Sequence, residues 1–570
     1  AEAHPVWCVR NQDGSIAVTR WDFDAAPDDP RPYGSWKYLC PSGGYLELML
    51  AQTVEICERY AVDGFWYDIC NTYPVCYCET CRQGMAAEGI DVENDDEAVF
   101  RYGVRKWKHF MDLTKGTVLR YHPDASVYYN GTTKLNSPNR NVEFRMYEHN
   151  TQHDLEDLPT TWGGYDKLPV RAKLFSNTGT PMVAMSGKFH TSWGEFGGYK
   201  HANALRYEAA SMVAYGVACN FGDQLHPLGQ MELDTYRNVG AAFQYVEQIE
   251  AYGIGARPVS NLGLWRTGSE ADDEGVARML LETQTDFCVV PTYDTELDLS
   301  PYQVIVLTGA PGLSAAQAEA LNRYVQEGGR LLVLGESALG QEGAAFQLDL
   351  GATYLGPARY DVDYTVLGSE LGAGLVKSPF LNYQGALRAR PDEGAQVLAA
   401  LHEPYFSRTY AHYCSHRNTP YRPEPADHPA AIRTGDVIYL AHRLGKLYFD
   451  LGARLHRDLF TRALGLLHTA PTLKTVMPSA GRVSLLHQPE KYRYVTHLLY
   501  APPLQRGQCA VIEDLVPLYD VPLAIDVPQD IVNAYLVPGG KSLPLSPMGS
   551  VTTVTVPVVE CHQAVVFEYE

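Results

Sequence analysis

The sequence predicts an α/β protein in three parts: a TIM (β/α)8-type barrel, a doubly wound α/β domain and a C-terminal antiparallel β-sandwich. Over residues 1–252, apolar strand-like runs alternate with long helical patterns, as they do in parallel βα units. Residues 253–471 continue the alternation with shorter apolar runs, which is typical of a doubly wound sheet. Over residues 472–570, short alternating runs separated by Pro and Gly turns predict the sandwich.

The first part is organised around residues 62–69, whose sequence is VDGFWYDI. We interpret this apolar and aromatic run as a buried parallel strand that carries Asp68 to its C-terminal end, where such barrels hold their catalytic residues. The remaining elements predicted here are helices at 45–60, 98–120, 204–215 and 238–252 and strands at 126–130, 152–156, 182–185 and 217–221. These make about five strand–helix units, whereas a closed barrel needs eight. We therefore expect the first three units to be missing from this chain or supplied by another piece, and we expect loops over residues 1–41.

The middle part carries short buried runs with helical patterns between some of them. Strands are predicted at 262–265, 287–290, 304–307, 331–334 and 437–440, and helices at 274–284, 314–326 and 459–467. Residues 350–429 are interpreted as an irregular insert. Because no phosphate-binding glycine fingerprint follows the first strand, we predict no nucleotide or other organic cofactor.

Bulk composition narrows the possible partners. The chain has 570 residues and a net charge of −21, which would repel nucleic acid. No apolar run approaches the roughly 20 residues that span a bilayer, so no membrane association is predicted. Its 12 cysteines include one tight cluster, which suits metal better than disulfides and favours a reducing, cytoplasmic location. A signal peptide lost upstream of Ala1 is left open.

The cysteine cluster consists of Cys76, Cys78 and Cys81 in the sequence CYCETC. Zinc prefers four tetrahedral sulfur or nitrogen ligands, so the spacing predicts a structural zinc site with one ligand from elsewhere. Cys40, in LCPSGGY, is the preferred fourth ligand and Cys70 is the alternative. Free cysteines are the competing interpretation, and the additional thiol argues against redox chemistry.

Asp68 needs a second carboxyl group if it is to hydrolyse a glycoside, because one carboxylate must attack or activate water while an acid protonates the leaving oxygen. Glu156, after the strand at 152–156, and Glu195, in HTSWGEFGGY, are the two candidates. A solvated loop charge is the alternative for any single acid here. This alternative fits Asp68 less well, because burying a carboxylate in an apolar strand costs free energy and is typical of a functional residue.

Polar and aromatic residues recur after successive predicted strands, and a hydroxyl-rich ligand needs such partners. They are His149, His153, Trp162, Lys188, His190, Trp193, Asp223, Gln224 and His226. The loop HYCSHRNTPYR adds His412 and His416, which could complete a site in this subunit or a neighbouring one; a solvated loop is the alternative. Asn130-Gly131-Thr132 has the form of a glycosylation sequon, but it follows a predicted core strand and is interpreted as structural.

Several phrases resemble a known family. VDGFWYDI followed by CYCETC resembles the fourth strand and metal loop of TIM-barrel glycoside hydrolases. LEDLPTTWGGYDKLP, GKFHTSWGEFGGYKHANALRYEA and NFGDQLHPLG resemble glycosyl hydrolases followed by a β-galactosidase trimerisation-like domain, and among characterised proteins the family 151 α-L-fucosidases. The resemblance runs over nearly the whole chain, including VSLLHQPEKYRYVTHLLYAPP.

The resemblance implies a retaining exo-α-L-fucosidase that acts on a fucosylated oligosaccharide or glycoside. It implies that Asp68 is the nucleophile and that Glu156, in preference to Glu195, is the acid/base. Similarity to the metal loop of family 42 β-galactosidases supports Cys40 as the fourth zinc ligand, but that family places Asn-Glu where this chain has Tyr67-Asp68. The middle domain is then expected to pack subunits into a homo-oligomer, trimeric or dimer-based. There are two alternatives. The protein could be another glycosidase, such as a galactosidase, or a non-catalytic carbohydrate-binding or assembly protein.

Overall fold

The computed structural model describes residues 1–20, 35–70, 73–293 and 297–570. Residues 21–34, part of the predicted loop-rich start, lie outside the described residues. The chain divides into two compact units, Ala1–Asp154 and Leu155–Glu570. The boundaries expected at residues 252 and 471 stay predictions.

The first unit packs long helices against two parallel strands. Its helices are α1 (Gly43–Arg59), α2 (Glu79–Ala87) and α3 (Asp96–Tyr121), and its strands are β1 (Val18–Arg20), β2 (Ser35–Lys37), β3 (Gly64–Tyr67) and β4 (Ser126–Tyr129). β1 and β2 pair antiparallel, and β3 runs parallel to β4 with Tyr67 opposite Tyr129. The core of this unit holds both tyrosines together with Trp107 and Met111 of α3.

The alternation of β3 corrects one prediction. Tyr67 is buried in this core with Phe65 packed against it, whereas Trp66 is 40% exposed and Asp68 is exposed. The expected burial of Asp68 is therefore wrong. Successive side chains of a strand point to opposite faces, and only one face of β3 meets α1 and α3. Asp68 shares the other face with Trp66.

The second unit begins within a three-stranded sheet. Strands β5 (His153–Glu156), β6 (Met182–Gly187) and β7 (Ala218–Gly222) lie side by side in that order, with β6 parallel to β7. Helices α4 (Lys167–Phe175), α5 (Ala202–Ala214) and α6 (Leu233–Ile249) follow the three strands in turn. α4 was not predicted. Residues 168–173 of α4 are all buried, so the segment lacks an amphipathic pattern.

A nine-stranded sheet follows, in the order β10-β9-β11-β12-β19-β18-β17-β14-β15. The strands of this region are β8 (Arg257–Pro258), β9 (Leu262–Trp265), β10 (Cys288–Val289), β11 (Val304–Leu307), β12 (Arg330–Leu334), β13 (Ala352–Gly356), β14 (Asp363–Leu367), β15 (Phe380–Asn382), β16 (Arg388–Pro391), β17 (Gln396–His402), β18 (Ala431–Thr434) and β19 (Val437–Leu440). The helices are α7 (Glu270–Glu282), α8 (Ala315–Gln326), α9 (Ser369–Gly372), α10 (Leu444–Leu451) and α11 (Arg454–Leu467).

The insert at residues 350–429 is not irregular, which corrects a second prediction. It supplies β13 to β17, of which β14, β15 and β17 extend the sheet antiparallel beyond β18. Register shifts between Tyr354 and Gly356 and between Val397 and Ala399 interrupt the side-chain alternation. A strand with such a bulge loses the period of two by which it could be recognised.

The C-terminal region is antiparallel, as predicted. Its strands are β20 (Leu473–Thr475), β21 (Gly481–Gln488), β22 (Arg493–Tyr500), β23 (Leu504–Arg506), β24 (Cys509–Val511), β25 (Leu518–Asp526), β26 (Ile531–Val537), β27 (Ser546–Met548), β28 (Val551–Val559) and β29 (Cys561–Tyr569). One sheet has the order β20-β25-β28-β27 and the other β26-β29-β22-β21-β8. Their inward side chains share one core, which includes Leu485, Leu523, Val556 and Phe567. Among the described residues, no helix is long and apolar enough to cross a bilayer.

Candidate active site

The carboxylate of Asp68 is held at one of its two oxygens. Oδ1 accepts hydrogen bonds from Asn130 Nδ2 and from the backbone N–H of Ile69, each at 2.8 Å. Asn130 directly follows β4, and its backbone is bonded to the end of the neighbouring strand. Its N–H donates to Tyr67 O at 2.8 Å, and its carbonyl accepts a hydrogen bond from Cys70 N–H at 3.1 Å. The pairing of β3 with β4 therefore fixes Asn130 and Asp68 relative to each other.

Ile69 has a left-handed backbone, with φ of 53°. A β-branched residue is strained in this region, because its Cβ crowds the backbone. The strain turns the chain sharply just after Asp68 and brings the Ile69 N–H onto its carboxylate. Such strain is frequent where a side chain must be held for function.

Asp68 lines a cavity of about 820 Å³ within the first unit. That volume lies within the usual range for small-ligand sites. The aromatic part of its lining is Trp36, Tyr38, Tyr45, Trp66, Tyr67, Tyr73, Trp107 and Phe110, and Glu2 and Lys37 add charge. A carboxylate among so many aromatic faces suits a ligand with both hydroxyl groups and an apolar face.

The two glutamate candidates have different surroundings. Glu156 ends β5, is half-buried, and its carboxylate has no hydrogen-bond partner among the described residues. Glu195 is fully engaged: it accepts from His190 N–H at 2.9 Å, Thr191 N–H at 2.8 Å and Thr191 Oγ1 at 2.8 Å. Partial burial opposes the charged form, but these hydrogen bonds outweigh it and lower the pKa of Glu195. A general acid needs a raised pKa, so the environment of Glu195 does not suit that role.

Asp157, the next residue, was not singled out from the sequence. It is 5% exposed, and Oδ1 accepts from Leu158 N–H at 2.8 Å while Oδ2 has no partner among the described residues. Burial raises its pKa to about 6, against the opposing charges of Arg171 and Lys167. Its position at the end of a strand could have identified it as a candidate. The sequence of a segment rich in acids does not show, however, which of the carboxyl groups is buried.

Lys188 lies at the centre of a polar cluster in the second unit. It directly follows β6, is 1% exposed, and its Nζ lies 3.0 Å from Glu232 Oε2 and 3.4 Å from Asp223 Oδ1. Tyr199 also donates to Glu232 and lies under the ammonium at 4.5 Å. Gln224 donates its backbone N–H to Asp223 at 2.6 Å. The predicted residues Lys188, Asp223 and Gln224 are thus brought together, while Glu232 and Tyr199 were missed.

Two glycines beside this cluster leave space for a wall of aromatic side chains. Gly187 and Gly222 end β6 and β7 opposite each other. A Cβ at Gly222 would meet the Trp193 ring at 2.7 Å, and one at Gly187 would meet the Phe189 ring at 2.5 Å, so only glycine admits these rings. Trp193 also stacks on Trp162 with centroids 6.1 Å apart. Both predicted tryptophans therefore belong to one wall.

The predicted histidines are dispersed. His149 pairs through Nδ1 with Asp112 of α3 at 2.9 Å, and His153 is buried at the first residue of β5, where burial lowers its pKa to about 4. His190 is half-buried, and His226 packs edge-on against the Phe196 ring. His412 and His416 are exposed on the 405–421 loop. Each strand-end histidine has its own separate surroundings. Their order along the sequence therefore did not indicate which of them would lie close together in the fold.

The four cysteines chosen from the sequence come together. Cys40, Cys76, Cys78 and Cys81 are buried, and their sulfurs all lie within 4.8 Å of one another, with Cys40 and Cys81 3.6 Å apart. Cys70 instead bonds to Tyr67 O at 3.4 Å. The cluster could hold a metal ion.

Lys106 places a positive charge beside the cluster. Its Nζ lies 3.6 Å from Cys81 Sγ and 3.3 Å from Pro74 O, and the residue is 9% exposed. Burial lowers the pKa of this ammonium, but the electrostatic effect of the four surrounding cysteines outweighs burial and raises it. A buried cation next to the sulfurs offsets the negative charge that four metal-binding thiolates would carry.

Comparison with solved structures shows an extended match. The chain is similar to α-L-fucosidase isoenzyme 2 from Paenibacillus thiaminolyticus, with 32% identity and a TM-score of 0.90 over 100% of this chain and 86% of that chain. It is also similar to the β-galactosidase from Rahnella sp. R3, with 14% identity and a TM-score of 0.63 over 99% of this chain and 85% of that one. Gan42B, a GH42 β-galactosidase from G. stearothermophilus, matches with 11% identity and a TM-score of 0.65 over 100% and 86% of the two chains. No protein-family model and no curated protein matches the sequence.

Proposed function

This chain belongs to the α-L-fucosidase family, and from that premise we propose that it is a retaining exo-glycosidase that hydrolyses α-L-fucosides. The observation that carries the proposal is the setting of Asp68. Its carboxylate stands at the C-terminal end of a parallel strand, lines an aromatic cavity of about 820 Å³, and is oriented by Asn130. Barrel glycosidases place catalytic carboxylates at such strand ends.

In the proposed mechanism Asp68 attacks the anomeric carbon of fucose, and the bond to the leaving oxygen breaks as a glycosyl-enzyme ester forms. Glu156 gives its proton to the leaving oxygen and then removes a proton from the water that hydrolyses the ester. A retaining mechanism requires these two carboxyl groups to be about 5–5.5 Å apart. Glu195 is the second candidate for acid/base, and its three hydrogen bonds support a loop-holding role instead.

Fucose differs from galactose at C6, where it has a methyl group in place of a hydroxymethyl group. The walls of the cavity beside Asp68 include Trp36, Trp66 and Trp107, which suit a methyl group and the apolar face of the ring. We propose that the polar cluster and the aromatic wall of the second unit bind sugar hydroxyl groups and an apolar ring face, through Lys188, Asp223, Gln224, Trp162 and Trp193. A binding role for His149, His153, His190, His226, His412 and His416 stays a prediction from the sequence.

The test compares the two acids that flank β3, Asp63 and Asp68. Asp68→Asn should reduce hydrolysis of nitrophenyl α-L-fucoside by about 10³-fold or more, because the nucleophile is lost. Asp63→Asn, at the exposed opposite end of β3, is the matched control and should retain activity. Azide should restore turnover to Asp68→Gly as fucosyl azide. Wild-type rates in Asp68→Asn would remove Asp68 from the mechanism.

A panel of nitrophenyl glycosides tests the sugar itself. The fucoside should be the preferred substrate, and the β-galactoside should be turned over slowly or not at all. Preference for the galactoside would replace the fucosidase assignment by a galactosidase one. Binding of fucose without hydrolysis of any glycoside would favour a carbohydrate-binding protein.

We further propose that the four-cysteine cluster binds structural zinc. Zn–S bonds of about 2.3 Å in a tetrahedron place sulfurs about 3.8 Å apart, which agrees with the compactness of the cluster. Zinc would join α2 to the segment before α1, with no open position for substrate. We also propose a barrel domain over residues 1–252, a trimerisation-like domain over 253–471 and a sandwich over 472–570, in a cytoplasmic homo-oligomer.

A further inference from the structure

The second unit contains a cavity that the proposed mechanism does not use. It has a volume of about 510 Å³ and lies between the insert and helix α10, and we call it the insert cavity. No candidate for catalysis or hydroxyl binding named above is among its described lining residues. Its volume lies within the usual range for small-ligand sites, so the space is sufficient for a ligand of its own.

Several polar side chains of the insert cavity have no partner in the part of the chain that the structure describes. Gln384 and Asn418 supply side-chain amides, and Asp361 and Arg417 supply a carboxylate and a guanidinium. None of these four groups makes a hydrogen bond or an ion pair with another described residue. Thr419 is 2% exposed, and its Oγ1 also has no partner there. Because buried polar groups are nearly always hydrogen-bonded, this lining indicates a polar molecule in the cavity.

The unpaired groups match the hydrogen bonding of a sugar. A guanidinium only donates hydrogen bonds, a carboxylate only accepts them, and an amide does both. A hydroxyl group also does both, so neighbouring hydroxyls of one sugar ring can pair with such a mixed set. Tyr383, which is 50% exposed, and Phe406 add aromatic surface to the lining. Such surface suits the apolar face of a sugar ring.

The charges of the lining are nearly balanced. Arg408, Arg417 and Lys446 stand against Asp361 and Asp450. Lys446 is already paired with Asp450, and Arg408 NH1 donates to the Arg417 carbonyl at 2.7 Å. A phosphate or sulfate would gain the Arg417 guanidinium but would also lie near the unpaired carboxylate of Asp361. Since like charges brought together cost free energy, the lining favours a neutral ligand over an anion.

The walls of the insert cavity are fixed before any ligand binds. Tyr364 of β14 donates through its hydroxyl to Thr419 O at 2.7 Å, and Asp361 N–H donates to Ser407 Oγ at 3.3 Å. On the other side, Leu447 of α10 is 3% exposed and anchors the helix in the core. A site that is held in shape in this way loses less entropy when its ligand arrives.

We propose that the insert cavity is a non-catalytic binding site for a neutral oligosaccharide. This goes beyond the proposed function, because the cavity contains none of the proposed catalytic carboxyl groups. The choice of a sugar rests on the membership of the chain in a glycosidase family. The site keeps the protein on a glycan between one hydrolysis and the next, which raises the local concentration of fucosyl ends.

The test measures sugar binding while the cavity beside Asp68 is blocked by an excess of 1-deoxyfuconojirimycin, a fucose-like iminosugar. Lactose and 2′-fucosyllactose are titrated and followed by saturation-transfer NMR. The wild type should still bind both sugars. In Gln384→Ala/Asn418→Ala the Kd should rise about 10-fold or more, as expected for the loss of two hydrogen bonds. Without the iminosugar, kcat/KM for nitrophenyl α-L-fucoside should change less than about twofold, because neither residue lines the cavity of Asp68.

Gln341→Ala is the matched control. This glutamine is exposed, lies in the same unit and does not line the insert cavity, so its loss should leave the Kd for both sugars unchanged. Thermal unfolding checks that each variant is folded. If the double variant does not fold, Gln384→Ala and Asn418→Ala are measured singly, and each should raise the Kd about threefold or more.

The outcomes separate this inference from the proposed function. Failure of the wild type to bind either sugar, or an unchanged Kd in the variants, overturns the inference. Binding of inorganic phosphate that is lost in the variants, without binding of sugar, would show an anion site and would also overturn it. Sugar binding with the expected loss, in a protein that hydrolyses no fucoside, would support the inference and refute the proposed function.

Discussion

Asn130 should control how well Asp68 performs as a nucleophile. The perturbation is Asn130→Ala, which removes one of the two donors to Asp68 Oδ1 and leaves the Ile69 N–H in place. Asn130 is half-buried and packs no apolar core, so the loss of the amide is the main effect. The carboxylate should then rotate more freely between productive and unproductive orientations.

The magnitude follows from the hydrogen bond. A bond to a charged group contributes about 1.5–3 kcal/mol when shielded, and Asp68 is exposed, so we take about 1–2 kcal/mol. At 1.36 kcal/mol for each factor of ten, kcat should fall about 5- to 30-fold. KM for nitrophenyl fucoside should change little, because Asn130 acts on the attacking group rather than on the bound sugar.

The decisive assay is a double-variant cycle. In Asp68→Gly supplied with azide, no carboxylate remains for Asn130 to orient. Adding Asn130→Ala in that background should therefore change the azide-dependent rate by less than about twofold. Equal losses in both backgrounds would show that Asn130 acts on the fold or the sugar and would refute the reasoning. Thermal unfolding of each variant checks that the fold is intact.

Three further predictions concern stability. The purified protein should contain one zinc ion per chain by elemental mass spectrometry. Cys81→Ser should lose the metal and unfold at a lower temperature. Wild-type protein that is free of zinc would contradict the assignment. Lys173→Met should lower the free energy of unfolding by about 3–5 kcal/mol, because it removes the cationic partner of Asp286 from a buried ion pair 2.7 Å long. The Lys173→Met/Asp286→Asn double variant should recover part of this loss in denaturant titrations. Burial lowers the pKa of His497 to about 4, and burial also lowers the pKa of its partner His562, so the unfolded chain binds more protons than the fold below pH 6.5. The stability due to these two neutral rings should be present above about pH 6.5 and be lost as the pH falls toward 4, and a melting temperature that is flat over that range would contradict it.

The elements that the sequence predicted to the residue share one property. The strands Leu262–Trp265, Val304–Leu307 and Val437–Leu440 are buried on both faces, so each is a continuous apolar run with polar or turn residues at its ends. The elements that were missed lack such a pattern. α4 is buried nearly all round, and register shifts interrupt the pairing of β13 with β16 and of β17 with β18 in the insert.

The site was predictable where chemistry is local and not where it depends on register. Three cysteines within six residues indicate a metal-type cluster directly, and Cys40 was added from its own motif. Asn130, by contrast, reaches Asp68 only because β3 pairs with β4 in one particular register. Its Asn-Gly-Thr sequence is equally typical of a turn. Hydrogen bonds across a strand pair cannot be read from the order of residues along either strand.

The surroundings of the carboxylates argue for their roles more strongly than their positions in the sequence do. Glu195 accepts hydrogen bonds at both oxygens, and its lowered pKa suits an acid that holds a loop in shape. Asp68 is asymmetric: two donors fix Oδ1, while Oδ2 has no partner among the described residues. An oxygen that must form a covalent bond to a sugar has to be available, and its carboxylate has to be oriented before the sugar arrives. Asp68 meets both requirements, and we therefore expect Oδ2 to be the atom that attacks.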